Sequence, residues 1–499
     1  MSLDNPQRRL GLGTKLAFGI GASAEQILLT AIGTYAMFYY NQVLGLSATL
    51  AGLAITLGIL LDGVVDPFIG SISDRTRSRL GRRHPFLFIA PIPIAICLFA
   101  IFHPPAALSG LWLFAWFLGF VVSVRIASSS YHLPHLAMGA ELSTDFTERS
   151  RVMSFFTFGQ VIGNTATSFL ALSIFFHATA KYPRGLLNPD AYSPFAITAV
   201  IAILVVQYTS AWFTRKSVKN FKPLSADVVS FTGREFTTDI RRVLSNPNYL
   251  AIIFGIFSFA LIMSCLSGLY LYLYTFFWRL KSEEIRWLSV ALLVGSVLSF
   301  SLTAAIQQRL GKRLVLRVAA LLMPVPLATV ITLHLLGILP DGRDPIVLPL
   351  LMLASGSSTF LSTVVTIASM SALGDIADEN ELRYGMRQEG LLYSTRTVLS
   401  KVDSALGQLL VGVFLDVTHF PRGAAPEAID PSLVWPLGLL GGPLLLIPAA
   451  LAAFFFGRFK IDQRQHAEIL RQLDLRGAAP GPKPGEPAPP LSPIVSPAE

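Results

Sequence analysis

Apolar runs of about 20 residues or more, each long enough to cross a bilayer as a helix, recur along most of this chain. Backbone amides inside hydrocarbon must be paired within their own segment, so a chain built this way folds as a bundle of spanning helices. Twelve spans can be read, with cores at 16–40, 48–72, 85–103, 109–138, 152–177, 193–214, 249–278, 287–306, 314–338, 346–373, 388–415 and 433–457. Charged residues make up 14% of the chain, against about 25% in soluble domains, which excludes a soluble globular class. The expected fold is an all-α polytopic membrane protein surrounded by lipid.

The net charge of +9 is not a nucleic-acid footprint, because the basic residues gather in loops on alternate sides of the spans. Arg8, Arg9 and Lys15 precede the first span, Arg75, Arg77, Arg79, Arg82 and Arg83 follow the second, and Arg309, Lys312 and Arg313 follow the eighth. The positive-inside rule then predicts cytoplasmic termini in a plasma membrane of the bacterial inner-membrane type. A polar segment, 215–248, separates a six-span half (1–214) from a second one (249–457). The tail, 458–499, is expected to be cytoplasmic and disordered from about 477, where Pro, Ala and Gly dominate. RLGRR (79–83) after the second span is echoed by RLGKR (309–313) after the eighth, the same place in each half. Two parallel six-helix halves are the plan of major facilitator transporters, whose substrates bind between the halves. Cys97 and Cys265 fall inside apolar runs and read as free buried thiols. No signal-peptide cleavage pattern precedes the first span, so it is expected to be retained.

Ionisable residues within spans are functional candidates by default. Asp62 and Asp66 are four apart on one helix face, and Pro67 is expected to loosen the backbone beside them. Two converging carboxylates suit a bound cation or a shared proton. The fourth span carries Arg125, Ser129 and His132 on one stripe, and the first carries Glu25 and Gln26. Lys401 lies in the eleventh span with Arg396 and Asp403, the last two read as structural. A substrate site needs paired polar groups and an aromatic platform, for which Glu25, Gln26, Tyr35, Arg125, Tyr131 and Tyr393 are the candidates. On the basic side, Asp74 with Arg75, Arg82 and Arg83, and the charge-dense segment bearing Asp375, Asp378, Glu381, Arg387 and Glu389, are expected to form ion pairs that close a cytoplasmic gate.

These residues fall in motifs of a known family. D-x-x-x-D-P-x-x-G-x-x-x-D-R at 62–75, R-x-G-R-R-x-P at 79–85, L-P-x-L-A-x-x-x-E-L-x-x-D-x-x-E-R at 133–149, and D-I-A-D-x-x-E through R-Q-E-G to Lys401 resemble the glycoside–pentoside–hexuronide:cation symporters, the melibiose permease family. The resemblance runs over about 14–457, and Gln26-Ile27 also resembles the sodium-dependent lysophospholipid transporters of the same superfamily. It implies a major facilitator fold and cation-coupled symport by alternating access. Asp62 and Asp66 fall on the cation-binding carboxylates, Ser129 on a hydroxyl ligand, and Lys401 on the lysine near the coupling site. Glu141, Asp145 and Arg149 of the third motif join the gate set. His132 holds the place of a third aspartate, which favours H⁺ over Na⁺ as coupling ion, although Na⁺ at Asp62 and Asp66 stays open. Gln26 and Thr157 replace the permease's sugar-binding aspartate and arginine, so melibiose itself is not expected.

The expectation is a monomeric symporter of a sugar or glycoside driven by H⁺ or Na⁺, with no other cofactor. A carrier of lysophospholipid or another amphiphile is the alternative, and a non-transporting sensor on the same fold is a third reading. No zinc-ligand spacing, Walker loop or nucleophile motif is present, so an enzyme is not expected.

Overall fold

The computed structural model describes residues 10–142, 145–215, 245–340, 342, 344–384 and 389–478. Among them, twelve helices are long and apolar enough to cross a membrane. They are α1 (Leu12–Val43), α2 (Ala48–Arg75), α3 (His84–Phe102), α4 (Gly110–Gly139), α5 (Arg151–Phe175), α6 (Pro189–Thr214), α7 (Pro247–Phe277), α8 (Ser282–Leu310), α9 (Lys312–Leu335), α10 (Val347–Arg383), α11 (Leu392–Val417) and α12 (Pro431–Phe456). A further helix, α13 (Gln463–Ala478), follows them.

Two local expectations are corrected. The α2 helix runs unbroken through Pro67. Residue i−4 from this proline is Gly63, which has no side chain to crowd the strained turn. The first part of the charged segment after the tenth span, bearing Asp375, Asp378 and Glu381, is not a junction but the last three turns of α10. Ile376, Ala377 and Asn380 are fully buried there at helical spacing, and that packing carries the helix past the apolar core.

In the first half α1 packs on α5 and α6, and α2 packs on α4. In the second, α7 packs on α11 and α12, and α8 packs on α10. The halves meet where α2 crosses α11 and where α5 crosses α8. The α2–α11 crossing is backbone-close because of two glycines. A Cβ on Gly52 would lie 2.7 Å from the Gln408 carbonyl oxygen, and one on Gly412 would lie 2.4 Å from that of Ala48.

At the end opposite the basic loops the two halves finish α1 and α7 alike. Each closes in a π-helical turn, Tyr39–Val43 and Leu273–Phe277. Each then takes one left-handed residue, Gly45 (φ 75°) and Arg279 (φ 52°), before the next helix begins. An arginine from the opposite half seals each turn: Arg422 donates to the Gly45 carbonyl at 3.2 Å, and Arg184 donates to the Arg279 carbonyl at 2.8 Å. Asp416 supports Arg422 at 3.1 Å and Glu427 supports Arg184 at 2.5 Å. Asp416 also accepts from the amides of Ala48 (3.2 Å) and Thr49 (2.8 Å), so a carboxylate of one half caps the positive start of α2 in the other.

Candidate functional site

The α2 stripe places Asp62 and Asp66 against α11 and α4 together. Lys401 of α11 lies between the carboxylates, its Nζ 3.0 Å from Asp62 Oδ2 and also bonded to Asp66 Oδ2. Ser129 of α4 donates to the other oxygen of Asp62, and Arg125 Nη1 is 4.0 Å from Asp62 Oδ2. Gly63 makes room for the lysine stem, since a Cβ there would sit 3.2 Å from Lys401 Cδ. Two carboxylates of one half therefore share an ammonium of the other. Asp66 Oδ1 is buried with no hydrogen-bond partner, which leaves an acceptor available beside the lysine.

His132 does not join this cluster. Three residues past Ser129, it is turned about 60° around α4 and faces α1. Its Nδ1 is 2.9 Å from Glu25 Oε2, and Gln160 donates to the same oxygen at 3.0 Å. Glu25, His132 and Gln160 thus form a second polar group within the first half. Gln26 is half-buried on α1. Neither Tyr35 nor Tyr131 is in the lining of the cavities between the halves. Tyr35 stacks 5.3 Å from Phe176 inside the first half, and Tyr131 stacks on His135 and donates to the Gln207 carbonyl at 3.4 Å. Tyr393 is exposed on α11, donating to the Met370 carbonyl at 3.5 Å.

Two cavities open between the halves. One, of about 300 Å³, is lined by hydroxyls (Thr30, Thr34, Thr165 and Ser168 from α1 and α5, and Tyr270, Tyr274, Ser355, Ser358, Thr359 and Ser362 from α7 and α10) and by apolar side chains, Met263, Leu266, Leu273, Leu292, Met323 and Leu327. Among the described residues, no carboxylate, ammonium, guanidinium or imidazole lines it. The second, of about 390 Å³, shares Met263 and Ser267 with the first and adds Arg125, Arg396, Asp403 and Gln408. A third, apolar groove of about 610 Å³ runs between α8 and α10 with a separate lining, including Val294, Leu298, Leu353 and Phe360.

At the basic end the ion pairs seen fasten each half to itself. Arg83 reaches Asp74 (2.5 Å), Glu141 (2.9 Å) and the Ser73 hydroxyl (2.9 Å), and Arg82 reaches Glu141 (2.7 Å). In the second half Lys312 bridges to Asp375 at 2.6 Å, and His466 of α13 lies 3.0 Å from Asp378. Among the described residues, the expected gate residues Asp74, Arg82, Arg83, Glu141, Asp375 and Asp378 thus make pairs within a half, because each basic turn folds back onto the end of the next-but-one helix, α4 or α10, of its own half. Arg75 and Arg149 are exposed, Asp145 caps α5 by accepting from the Glu148 amide at 2.7 Å, and Glu381 is half-buried. Arg387 lies outside the described residues, as does the side chain of Glu389.

Several partners escaped the sequence reading. Glu148 pairs with Lys15 at 2.5 Å, and the ammonium's hydrogen bond holds that carboxyl below its ordinary value of 4.5. Glu379 gathers Asn246 (3.0 Å), Asn248 (3.1 Å) and Arg383 (2.8 Å). The hydroxyl wall was visible as Ser355, Ser358, Thr359 and Ser362, spaced i, i+3, i+4 and i+7 on one helix face.

A family model described as MFS/sugar transport protein matches residues 17–463. The chain belongs to that family. It is similar to the isoprimeverose transporter of Lactiplantibacillus pentosus, 22% identical over 91% of this chain and 90% of that one. It is also similar to a sodium-dependent lysophosphatidylcholine symporter of Danio rerio, 21% identical over 94% and 89%. The fold matches the inward-open xylose transporter of E. coli with a TM-score of 0.57 at 14% identity, covering 93% of this chain and 98% of that one. The protein is thus a multi-pass major facilitator transporter of the cation-coupled symporter group, not an enzyme.

Proposed function

We propose that this protein carries a neutral sugar or glycoside inward across the plasma membrane together with one or more H⁺ or Na⁺ ions, its basic loops lying in the cytoplasm. The bridging of Asp62 and Asp66 by Lys401 carries the proposal. The lysine stands where a transported cation would be needed, so ion binding at the carboxylates competes with a contact that ties α2 to α11. A cation that displaces Lys401 loosens one tie between the halves, and occupancy of the site is thereby linked to their movement. The first cavity between the halves, with many hydroxyls and no charged side chain in its described lining, favours a polyhydroxylated neutral solute, because a charged one would be stripped of water without a counter-charge. The sealed end opposite the basic loops supports a carrier resting open to the cytoplasm.

Uptake of radiolabelled isoprimeverose into proteoliposomes, with pH and sodium gradients imposed separately, tests the reading. One gradient should drive accumulation in the wild type, and Asp66→Asn should abolish the gradient's effect. Sugar flux that ignores both gradients would defeat the coupling, and uptake of a lysophospholipid in place of any sugar would move the substrate to the amphiphile class.

A further inference from the structure

The coupling cluster is balanced in charge, and the polar group beside it is not. Asp62 and Asp66 face the Lys401 ammonium and the Arg125 guanidinium, two carboxylates against two cations. Glu25 meets His132 at 2.9 Å and the Gln160 amide at 3.0 Å, and among the described residues no lysine or arginine pairs with it. Both contacts fall on Oε2. The carboxylate partner assigns a hydrogen to Nδ1 of His132, so Nε2 is the nitrogen left to take up a proton. The pair therefore carries one negative charge with a neutral imidazole and none with an imidazolium. An uncompensated carboxylate at membrane depth is costly, and a proton is the smallest ion that removes the charge. A metal cation would meet two N–H donors at the oxygen it needs. The pair is also placed for protons to arrive, its side chains being 23% and 24% exposed. Glu25 shares a face of α1 with Leu29 and Ile32, and His132 shares a face of α4 with Arg125, all three of which line the second cavity. The pair thus lies one to two turns from that cavity toward the basic end. A Cβ on Gly163 would sit 2.7 Å from the Ser23 carbonyl oxygen, so α1 and α5 are locked together and Gln160 holds Glu25 in place. The α4 helix is the shared partner, reaching Glu25 with His132 and Asp62 with Ser129 and Arg125.

We propose that Glu25 and His132 form a proton-binding site separate from the ion site at Asp62 and Asp66, and that its proton sets how firmly α4 is held on α1. A proton arriving from water adds to the Nε2 lone pair. No other bond forms or breaks, and the contact from Nδ1–H to Oε2 becomes an ion pair and strengthens. Loss of that proton to water leaves the Glu25 charge to draw on Arg125, whose Nη1 lies 4.0 Å from Asp62. The guanidinium is then divided between two carboxylates, so the state of the pair is felt at the ion site. The other charged and titratable groups around the pair are Asp62 and Asp66 of α2, which act on His132 through space, Lys401 of α11 between them, and His135 of α4. His135 is turned away, stacked on Phe18 and bonded to Ser210 at 3.1 Å. To this contact α5 contributes Gln160 and Phe156, neither of them charged. The site rests on the ion-coupled reading above only for its consequence at Asp62 and Asp66.

The test is the distance between spin labels attached at Leu16→Cys and Leu136→Cys, exposed positions of α1 and α4, in the purified full-length carrier with Cys97 and Cys265 changed to Ser. The distance distribution is expected to be broader at about pH 8.5 than at about pH 5.5. His132→Asn keeps an amide donor for Glu25 but takes up no proton, so it should hold the broad, alkaline distribution at both pH values. Glu25→Gln should likewise remove the pH dependence. In proteoliposomes, exchange of labelled for unlabelled isoprimeverose, with equal pH on both sides, is expected to change by about fivefold or more over that range in the wild type and by less than about twofold in either variant. Variants whose label distances follow pH as the wild type's do would overturn the proton site and leave the transport reading standing. So would a wild type whose distances ignore pH. Variants that lose exchange at every pH would also overturn it and move the pair to substrate binding. Distances that follow pH in a wild type that exchanges no isoprimeverose, and that cease to do so in both variants, would keep the proton site and overturn the sugar reading.

Discussion

The two ends of this molecule are held by different kinds of contact. At the end opposite the basic loops, arginines reach across: Arg184 and Arg422 each seal a turn of the other half, and Gly52 and Gly412 let α2 and α11 touch. At the basic end, Arg82, Arg83 and Lys312 each clamp a helix of their own half. One end is a seam and the other is a pair of hinges' worth of rigid bodies. The difference teaches that the same residue type serves closure or rigidity according to which half its carboxylate or carbonyl belongs to.

Perturbations can be ranked by how strongly they should disturb this division. Lys401→Ala leaves two carboxylates facing each other beneath the seam. Breaking a buried pair in this way costs about 3–5 kcal/mol, and thermal unfolding of the purified protein should show it. The double variant Asp62→Asn with Lys401→Met should recover most of that loss. Gly412→Val forces side-chain atoms against the Ala48 carbonyl, an overpacking worth about 1–3 kcal/mol. Spin labels on the two halves at the sealed end should report a wider separation. Arg184→Ala and Arg422→Ala should each shift the same distance distribution by a similar, smaller amount, about 0.5–1.5 kcal/mol per lost contact, because these pairs are partly open to solvent. Arg83→Ala should lower the unfolding temperature while leaving that distribution unchanged; if it opens the seam, the contrast between the ends is lost. The smallest effect belongs to Lys15–Glu148. Because the Glu148 carboxyl is depressed in the folded state, its contribution is present above its ordinary value of 4.5 and lost as pH falls through the lower folded value. Glu148→Gln should flatten that part of the acid side of the stability curve.

The bundle, the halves and the α2 carboxylates were legible because each rests on a local pattern: apolar run length, loop charge, and ionisable groups in hydrocarbon. Long-range pairing was less accessible. Motif position put His132 beside Asp62 and Asp66, but rotation around α4 turns it to Glu25. The aromatic candidates Tyr35 and Tyr131 satisfied a composition rule for sugar sites while belonging to the packing of the first half. The Ser and Thr stripe of α10 was readable in principle, since its spacing is helical, yet hydroxyls in spans commonly bond their own backbone and raise no alarm. The echo of Gly45 in Arg279 was hidden, because an arginine in a left-handed turn has no sequence signature.

The lysine between Asp62 and Asp66 bears on how membrane voltage acts on this carrier. With its own ammonium offsetting part of the carboxylate charge, the empty protein has less uncompensated charge to move as it resets. An ion that enters adds its full charge to the moving assembly, and each 100 mV is worth about 2.3 kcal/mol on one such charge. Voltage should therefore pull chiefly on the laden stroke and spare the return, so current recorded at saturating substrate should rise with potential while exchange of labelled for unlabelled substrate should not.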